Sequence, residues 1–499
     1  MTHKYAFCVA GTHSGCGKTT ITLALIAALK NRGFRVQPFK VGPDFIDPGF
    51  HTQIAGCESR NLDGWMLTRD YNRRLFHTLL EESDTAVVEG VMGLFDGYDG
   101  ISESGSTGEM AKWLDIPVVL IVDARSMARS AAALVQGFVH FDPDIRIAGV
   151  VFNRIAGAGH LEYLREAVQS NVPQVSLLGG IPREEEIGIP ERHLGLVTAD
   201  EIRLNPEWKG RIAGIVEEYI DLDLLLEKVR CRPMSDPLPA DSADEGKAAA
   251  TVPRSHEFLD MPGFYEGSTR EAESLASIAV ARDAAFCFYY RDNFELLERA
   301  GAQLEFFSPL AGEGIPEGAA GLYLGGGYPE LFAERIASNR LFLDSLAEAC
   351  SKGLPIYAEC GGLMTLGRFI DTKEGKRYPM AGLLPFGTRM LKRRKALGYT
   401  EVVLRDSCLL GEKGAIIRGH EFHYSEIAEG EDFPGLLLAY GIRNRKEVSE
   451  RHEGYMKGSI LASYIHLHWG SNPGAAWSFV KHCRHAAMNH PVFSGCPRL

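Results

Sequence analysis

Apolar residues along this chain come as short, nearly unbroken runs separated by longer segments with helical spacing. In the first half the runs at 5–10, 34–39, 85–90, 116–122, 147–152 and 176–181 are rich in Val, Ile, Phe and Ala. Each is too short for a helix, and each lacks the polar alternation of a half-exposed strand. They predict parallel strands buried on both faces. Between them lie helical patterns, among them ITLALIAALKNRG after position 20 and a helix over 127–138. Strands alternating with helices predict an α/β domain with a doubly wound sheet.

The periodicity fades from about 230 to 274, where SDPLPADSADEGKAAATVP reads as a linker. It resumes with expected elements at 284–290 (strand), 293–300 (helix) and 303–307 (strand). Later apolar runs end in Gly325-Gly326-Gly327, in Cys360-Gly361-Gly362 and in His466-Leu467-His468. The reading is therefore two mostly parallel, doubly wound α/β domains: 1–229, a linker over 230–274, and 275–499. A length of 499 residues fits two such cores.

Composition narrows the class. With 45% hydrophobic and 24% charged residues the chain is ordinary for a globular protein, and no apolar run reaches a membrane span. The first strand begins within ten residues of Met1, leaving no space for a leader, so a cytoplasmic location is expected. A net charge of −12 argues against nucleic acid as a partner. The ten cysteines show neither CxxC pairs nor zinc spacing, and most read as small core residues.

Several stretches carry chemistry. Gly11-Thr-His-Ser-Gly-Cys-Gly-Lys-Thr-Thr20 lies between a strand and a helix, where a phosphate loop belongs. There Thr12, Gly15 and Gly17 would wrap phosphate, Lys18 would reach the outer phosphates of ATP, and Thr19 would bind Mg²⁺. Its first glycine stands one position early, a form that resembles dethiobiotin synthetase. The loop after the second strand carries Lys40, Asp44, Asp47 and His51 at the expected ligand face. Glu89 ends a buried strand, the place for a magnesium ligand, with Asp47 as a further ligand. Asn153 would either read a purine or cap a turn. Arg192 and His193 either meet an anionic substrate or face solvent.

In the second half, Cys360 sits between an apolar run and two glycines, the setting of a nucleophile elbow, where a helix N-terminus is expected to lower the thiol's pKa. A buried strand-end cysteine gives the same local pattern. His466 and His468, two residues apart on one strand, offer a base for that thiol. The segment with Arg418, His420, Glu421 and His423 is a further charged cluster.

Taken in order, GTHSGCGKTT, KVGPDFIDPGFH, VVEGVMGLFDG, IPERHLGL, GLYLGGGYPE, YAECGGLM, RGHEFHYS and ASYIHLHW resemble the cobyrinate a,c-diamide synthase family over nearly the full length. That resemblance implies a dethiobiotin-synthetase-like ATP domain joined to a class I glutamine amidotransferase domain. It implies Cys360 as the nucleophile on L-glutamine, His466 as its base, and Gly326 and Gly361 as oxyanion-hole donors. It further implies ATP and Mg²⁺ as cofactors, and amidation of cobyrinate or a related tetrapyrrole such as hydrogenobyrinate or nickel sirohydrochlorin. A homodimer is admitted, and no membrane partner is expected. Class I amidotransferases carry a glutamate two residues after the histidine; this chain has His468 there, so the third member of the triad is left open. A regulatory nucleotide-binding protein with a degenerate second domain is the reading from another class.

Overall fold

A computed structural model describes residues 3–183, 191–192, 195–196, 204–231, 275–428, 433–443 and 451–489. The chain divides into two compact units, Met1–Arg254 and Ser255–Leu499. Both are α/β, in keeping with the expected fold class.

In the first unit seven strands form one sheet: β1 (Tyr5–Gly11), β2 (Val36–Val41), β3 (Arg60–Leu62), β4 (Thr85–Glu89), β5 (Val118–Asp123), β6 (Ile147–Ile155) and β7 (Ser176–Pro182). Their order is β3-β2-β4-β1-β5-β6-β7, and every neighbouring pair is parallel. Alternation along β1 explains the two-faced core. Phe7 and Val9 join one cluster with the helix α1 (Lys18–Asn31), while Ala6, Cys8 and Ala10 join another on the opposite face. A strand that must be apolar on both sides shows no period of two in its sequence. Arg230 and Cys231, at the start of the expected linker, pair back onto Tyr5 and Lys4. The short strands β8 (Glu191–Arg192) and β9 (Gly195–Leu196) pair antiparallel.

The second unit begins with β10 (Ala276–Ala281), followed by β11 (Ala302–Phe307), β12 (Gly321–Leu324) and β13 (Ile356–Glu359). With Ile460–Ser463 they form the parallel half of a ten-stranded sheet, in the order β11-β10-β12-β13 and then Ile460–Ser463. The other half is antiparallel, running through Arg451–Lys457, Leu437–Arg443, Ala396–Leu404, Ile416–His423 and His466–Leu467. Hydrophobic spacing did not announce that extension, because its strands are partly exposed and interrupted by charge.

One expected element is wrong. The run at 284–290 is not a strand; β10 is, and its small alanines gave a weaker signal than the aromatic FCFYY that follows. The aromatics are buried in a connection folded over the glycine turn: Phe288 pairs with Gly326, and the Tyr289 hydroxyl accepts from the Gly325 N–H at 2.8 Å. Burial without a ladder looks like a strand in sequence. Smaller shifts occur elsewhere. The helix expected at 127–138 spans Ser130–Phe141, because Ser126 takes a positive φ of 58° and delays its start.

Among the described residues no helix is long and apolar enough to cross a membrane. Five of the described cysteines are buried and Cys57 is exposed; all are free.

One buried carboxyl gives a pH test of this unit. Glu109, on the helix Thr107–Leu114, accepts from the Gly105 N–H at 2.7 Å, and burial with the charges of Glu103 and Asp63 pushes it up to about 7. Between the ordinary carboxyl value of 4.5 and about 7 the folded chain holds a proton that the unfolded chain has lost. Stability therefore falls as pH rises through that window and stays lowered above it. Glu109→Gln is expected to remove this dependence and to stabilise the chain at pH 8 by roughly 1–3 kcal/mol. Thermal unfolding of both chains at pH 5 and pH 8 checks it; an equal difference at both pH values would count against it.

Candidate active sites

The first candidate site lies at the C-terminal ends of β1, β2 and β4, where an open α/β sheet presents its ligand crevice. Gly15 and Gly17 take positive φ angles of 82° and 98°, which turn the loop back onto α1. Gly11 is needed for a different reason. A Cβ there would come 2.3 Å from Cys16 Sγ, so the displaced first glycine lets the loop close over β1. Thr12 Oγ1 meets His13 Nδ1 at 3.0 Å, and the Thr12 N–H donates to the Ile121 carbonyl.

Lys18 is buried, and its ammonium donates to the carbonyls of His13 and Met92. Burial lowers its pKa. It is held by carbonyls that phosphate oxygens, bearing full charge, would outcompete.

Beneath it is a cluster in which the sequence candidates do converge. The Thr19 hydroxyl donates to Glu89 at 2.6 Å and lies 3.3 Å from Asp47. Lys40 contacts Asp47 at 2.5 Å and Glu89 at 2.8 Å, with Asp44 at 3.8 Å. Against the upward push of burial, Lys40 and the hydrogen bond from His51 hold Glu89 below the usual carboxylate range. Asp47 goes the other way, raised by burial and by Asp44. Asp44 also accepts from the N–H groups of Ile46 and Asp47, capping α2 (Asp47–Ala55).

Lys40 is thus a structural counter-charge to the cluster. Three carboxylates around one ammonium leave negative charge over, and one hydroxyl with two carboxylates is a hard-oxygen set that suits Mg²⁺. Among the described residues no group of three His, Cys, Asp or Glu side chains is arranged to hold a metal unaided. A magnesium ion here would draw its remaining oxygens from phosphate and water.

Other candidates separate. Asn153 Nδ2 donates to the Cys16 carbonyl at 2.8 Å, its Oδ1 accepts from the Arg154 N–H, and a Cβ on Gly17 would strike its amide. Its amide therefore braces the phosphate loop. Arg154, strained at φ 59°, assists by donating to the Gly15 carbonyl and pairing with Asp123. Of Arg192 only the backbone in β8 is described, and His193 lies outside the described residues. Sequence reasoning missed the Asp123–Arg154 brace; it placed His51 in the ligand-face loop but did not foresee its contact with Glu89, whose Oε2 lies 2.7 Å from His51 Nε2. An acid at one strand end and a histidine on the helix after another strand carry no local signal of contact.

The second candidate site surrounds Cys360. The residue is strained at φ 46° between β13 and the helix Gly361–Leu366, the geometry of a nucleophile elbow. Its N–H donates to the Ser463 carbonyl at 2.7 Å, and the Gly362 N–H donates to the Gly325 carbonyl at 3.0 Å. Glycine is required on both sides. A Cβ on Gly361 would crowd Pro329 at 2.8 Å and sit 3.2 Å from the Gly327 nitrogen, and one on Gly326 would lie 2.3 Å from the His466 ring. Cys360 and His466 thus flank one glycine turn, although they are 106 positions apart in sequence.

The expected lowering of the Cys360 pKa is not found. Burial and the charges of Glu330 and Glu359 push the thiol up, despite a hydrogen bond from Gly361. A six-residue helix end is outweighed by complete desolvation. The thiolate has to be made by proton transfer to a base.

His466 is buried and stacks on His420, ring centroids 5.1 Å apart. His420 in turn meets the Tyr290 hydroxyl at 2.8 Å, and burial with repulsion from His466 and His468 lowers its pKa well below the ordinary histidine value. His468 lies 3.3 Å from Asp292 and 4.4 Å, centroid to centroid, from Tyr290.

Two family descriptions divide this chain as its sheets do. A CobQ/CobB/MinD/ParA nucleotide binding domain matches 7–197, and a CobB/CobQ-like glutamine amidotransferase domain matches 277–474. The cobyrinate a,c-diamide synthase of Syntrophotalea carbinolica is 43% identical over 477 residues, 95% of this chain and 98% of that protein. The chain belongs to the cobyrinate a,c-diamide synthase family. The relatives of the same name from Salmonella typhimurium and Priestia megaterium are each 40% identical, over 94% and 96% of this chain. As a member of the family it is an enzyme that joins a nucleotide-binding unit to a glutamine amidotransferase unit.

Proposed function

We propose that this enzyme amidates the a and c acetate carboxylates of cobyrinate, using ATP, Mg²⁺ and L-glutamine. The observation that carries the reading is the pairing, in one chain, of a strained buried cysteine facing a histidine across a glycine turn with a phosphate loop set over Thr19, Asp47 and Glu89. Full-length similarity to relatives named for this reaction supports it.

In the second unit His466 takes the Cys360 proton, and the sulfur attacks the glutamine amide carbon. The negative oxygen that develops is met by backbone N–H groups of the Gly326–Gly327 turn and of Gly361, a contribution commonly of about 3 kcal/mol. The C–N bond breaks as His466 returns the proton to nitrogen, ammonia leaves, and water then releases glutamate from the thioester.

In the first unit Lys18 and the loop N–H groups hold the polyphosphate, and Asn153 and Arg154 keep that loop in shape. Mg²⁺, when bound, would be held by Thr19, Asp47 and Glu89 and would supply charge neutralisation for the transferring phosphoryl group. Transfer of the γ-phosphoryl to a substrate carboxylate gives an acyl phosphate; ammonia attacks its carbonyl carbon and inorganic phosphate leaves. The activation is needed because a carboxylate has no adequate leaving group.

Mass spectrometry of a panel of tetrapyrroles incubated with the full chain, ATP, Mg²⁺ and glutamine tests the substrate. Each amidation replaces a hydroxyl by an amino group and lowers the mass by about one unit. Cobyrinate is expected to lose two such steps. Reaction with hydrogenobyrinate or nickel sirohydrochlorin alone would reassign the substrate, and no reaction with any would sink the reading.

A further inference from the structure

His468 occupies the position where an orienting carboxylate is expected, yet its imidazole pairs with Asp292 and packs on Tyr290. A different carboxylate faces the base. Glu359, the residue immediately before the nucleophile, places Oε2 3.7 Å from His466 Nδ1. We propose that Glu359 is the positioning carboxylate for His466, so that nucleophile and orienting acid come from adjacent residues at the end of β13. The inference rests on the reading of Cys360 and His466 as a glutamine-hydrolysing pair.

Three features argue that the carboxylate is built for this place. It is 1% exposed, a burial that a carboxylate does not bear without partners. Its two oxygens are fixed by three donors: the Tyr357 hydroxyl at 2.6 Å, the Tyr323 hydroxyl at 3.2 Å and the Leu467 N–H at 3.1 Å. The last of these ties it to the residue next to His466. Both phenols are buried and pushed well above their ordinary pKa by burial and by the Glu359 charge, so they stay hydroxyl donors.

Alternation along β13 would send adjacent side chains to opposite faces. Cys360 departs from strand geometry at its positive φ, and both residues are tied to the segment leading through His466: the Cys360 N–H donates to the Ser463 carbonyl and Glu359 accepts from the Leu467 N–H. At 3.7 Å the Glu359–His466 contact is longer than a hydrogen bond; catalytic contacts of this kind often tighten when substrate is bound.

Other titratable groups stand near His466 and Cys360. His420, stacked on His466 from the strand Ile416–His423, is held neutral by burial. Tyr290 is engaged with His420. Glu330 and Glu421 act on Cys360 through their charge, and Glu421 pairs with Arg451 and lies within hydrogen-bond distance of His423. The Glu359 carboxylate stands nearest the His466 Nδ1 among the described contacts, at 3.7 Å.

The test is glutaminase kinetics of the full chain with Glu359→Gln, alongside the pH dependence of alkylation at Cys360 followed on its peptide. The amide keeps the size; its one oxygen can still accept from the Tyr357 hydroxyl and the Leu467 N–H, while its NH2 would donate to the Tyr323 hydroxyl. Glutaminase kcat is expected to fall about 10- to 100-fold with KM for glutamine little changed. The pH limb set by His466 moves to lower pH, because the imidazolium loses its counter-charge. If Glu359→Gln does not fold, Tyr357→Phe, which removes one donor but leaves the carboxylate charge, is expected to give a smaller fall in kcat with no movement of the limb to lower pH. A wild-type rate and pH limb in either folded variant would overturn the proposal. So would Asp292→Asn reproducing the shift while Glu359→Gln does not. Failure of the underlying reading looks different: wild type would lack glutaminase activity, or Cys360→Ala would retain it.

Discussion

Replacing Cys360 by alanine is expected to abolish glutamine-driven amidation, by about 10³-fold or more, while amidation driven by added ammonium salts continues. The sulfur is the only atom at the elbow that can form the thioester, and the strained backbone at φ 46° presents it to the glycine turn that His466 also contacts. Alanine is smaller and leaves the turn undisturbed, since the Cys360 N–H to Ser463 bond is made by backbone. Steady-state assays with each nitrogen source, at a pH where some free ammonia is present, check the split. Equal loss with both sources would mean that the variant is misfolded or that the elbow serves another role.

Lys18→Ala is expected to remove amidation with either nitrogen source, by roughly 10²- to 10³-fold. Lys40, the other buried ammonium described in this cluster, is committed to Asp47 and Glu89. Alanine also releases the His13 and Met92 carbonyls, which can turn to water. Basal glutamine hydrolysis, measured without ATP or acceptor, should persist in this variant, because the elbow chemistry draws on none of the phosphate-loop groups. The two variants therefore give complementary losses. Loss of basal glutaminase activity in Lys18→Ala would mean that the two activities are not separable in the way the residues suggest.

What the sequence made legible follows from how local each signal is. The phosphate loop could be read because strand, glycines, lysine and helix are contiguous, and the apolar runs announced the parallel sheet because strands covered on both faces cannot be polar. The elbow was legible for the same reason. Glu359 was not, although it stands beside Cys360, because its contact with His466 joins positions 107 residues apart and only the fold brings them together. The bond from Asn153 to the phosphate loop was hidden in a similar way, since an amide at a strand end gives no hint of a loop carbonyl 137 positions away. The aromatic run at 284–290 misled because burial alone, without a ladder, leaves the same composition as a strand. The thiol pKa was misjudged because a helix end is visible in sequence and desolvation is not.

Nitrogen freed from glutamine at Cys360 is expected to reach a carboxylate activated over Lys18. The most direct test gives the wild-type enzyme glutamine labelled with ¹⁵N in the side-chain amide, together with ATP, Mg²⁺ and cobyrinate, and isolates the product for mass spectrometry. A product carrying label in both new amides is expected, formed with stoichiometric release of phosphate and glutamate. A product without label, or cobyrinate recovered unchanged while glutamine and ATP are consumed, would contradict it.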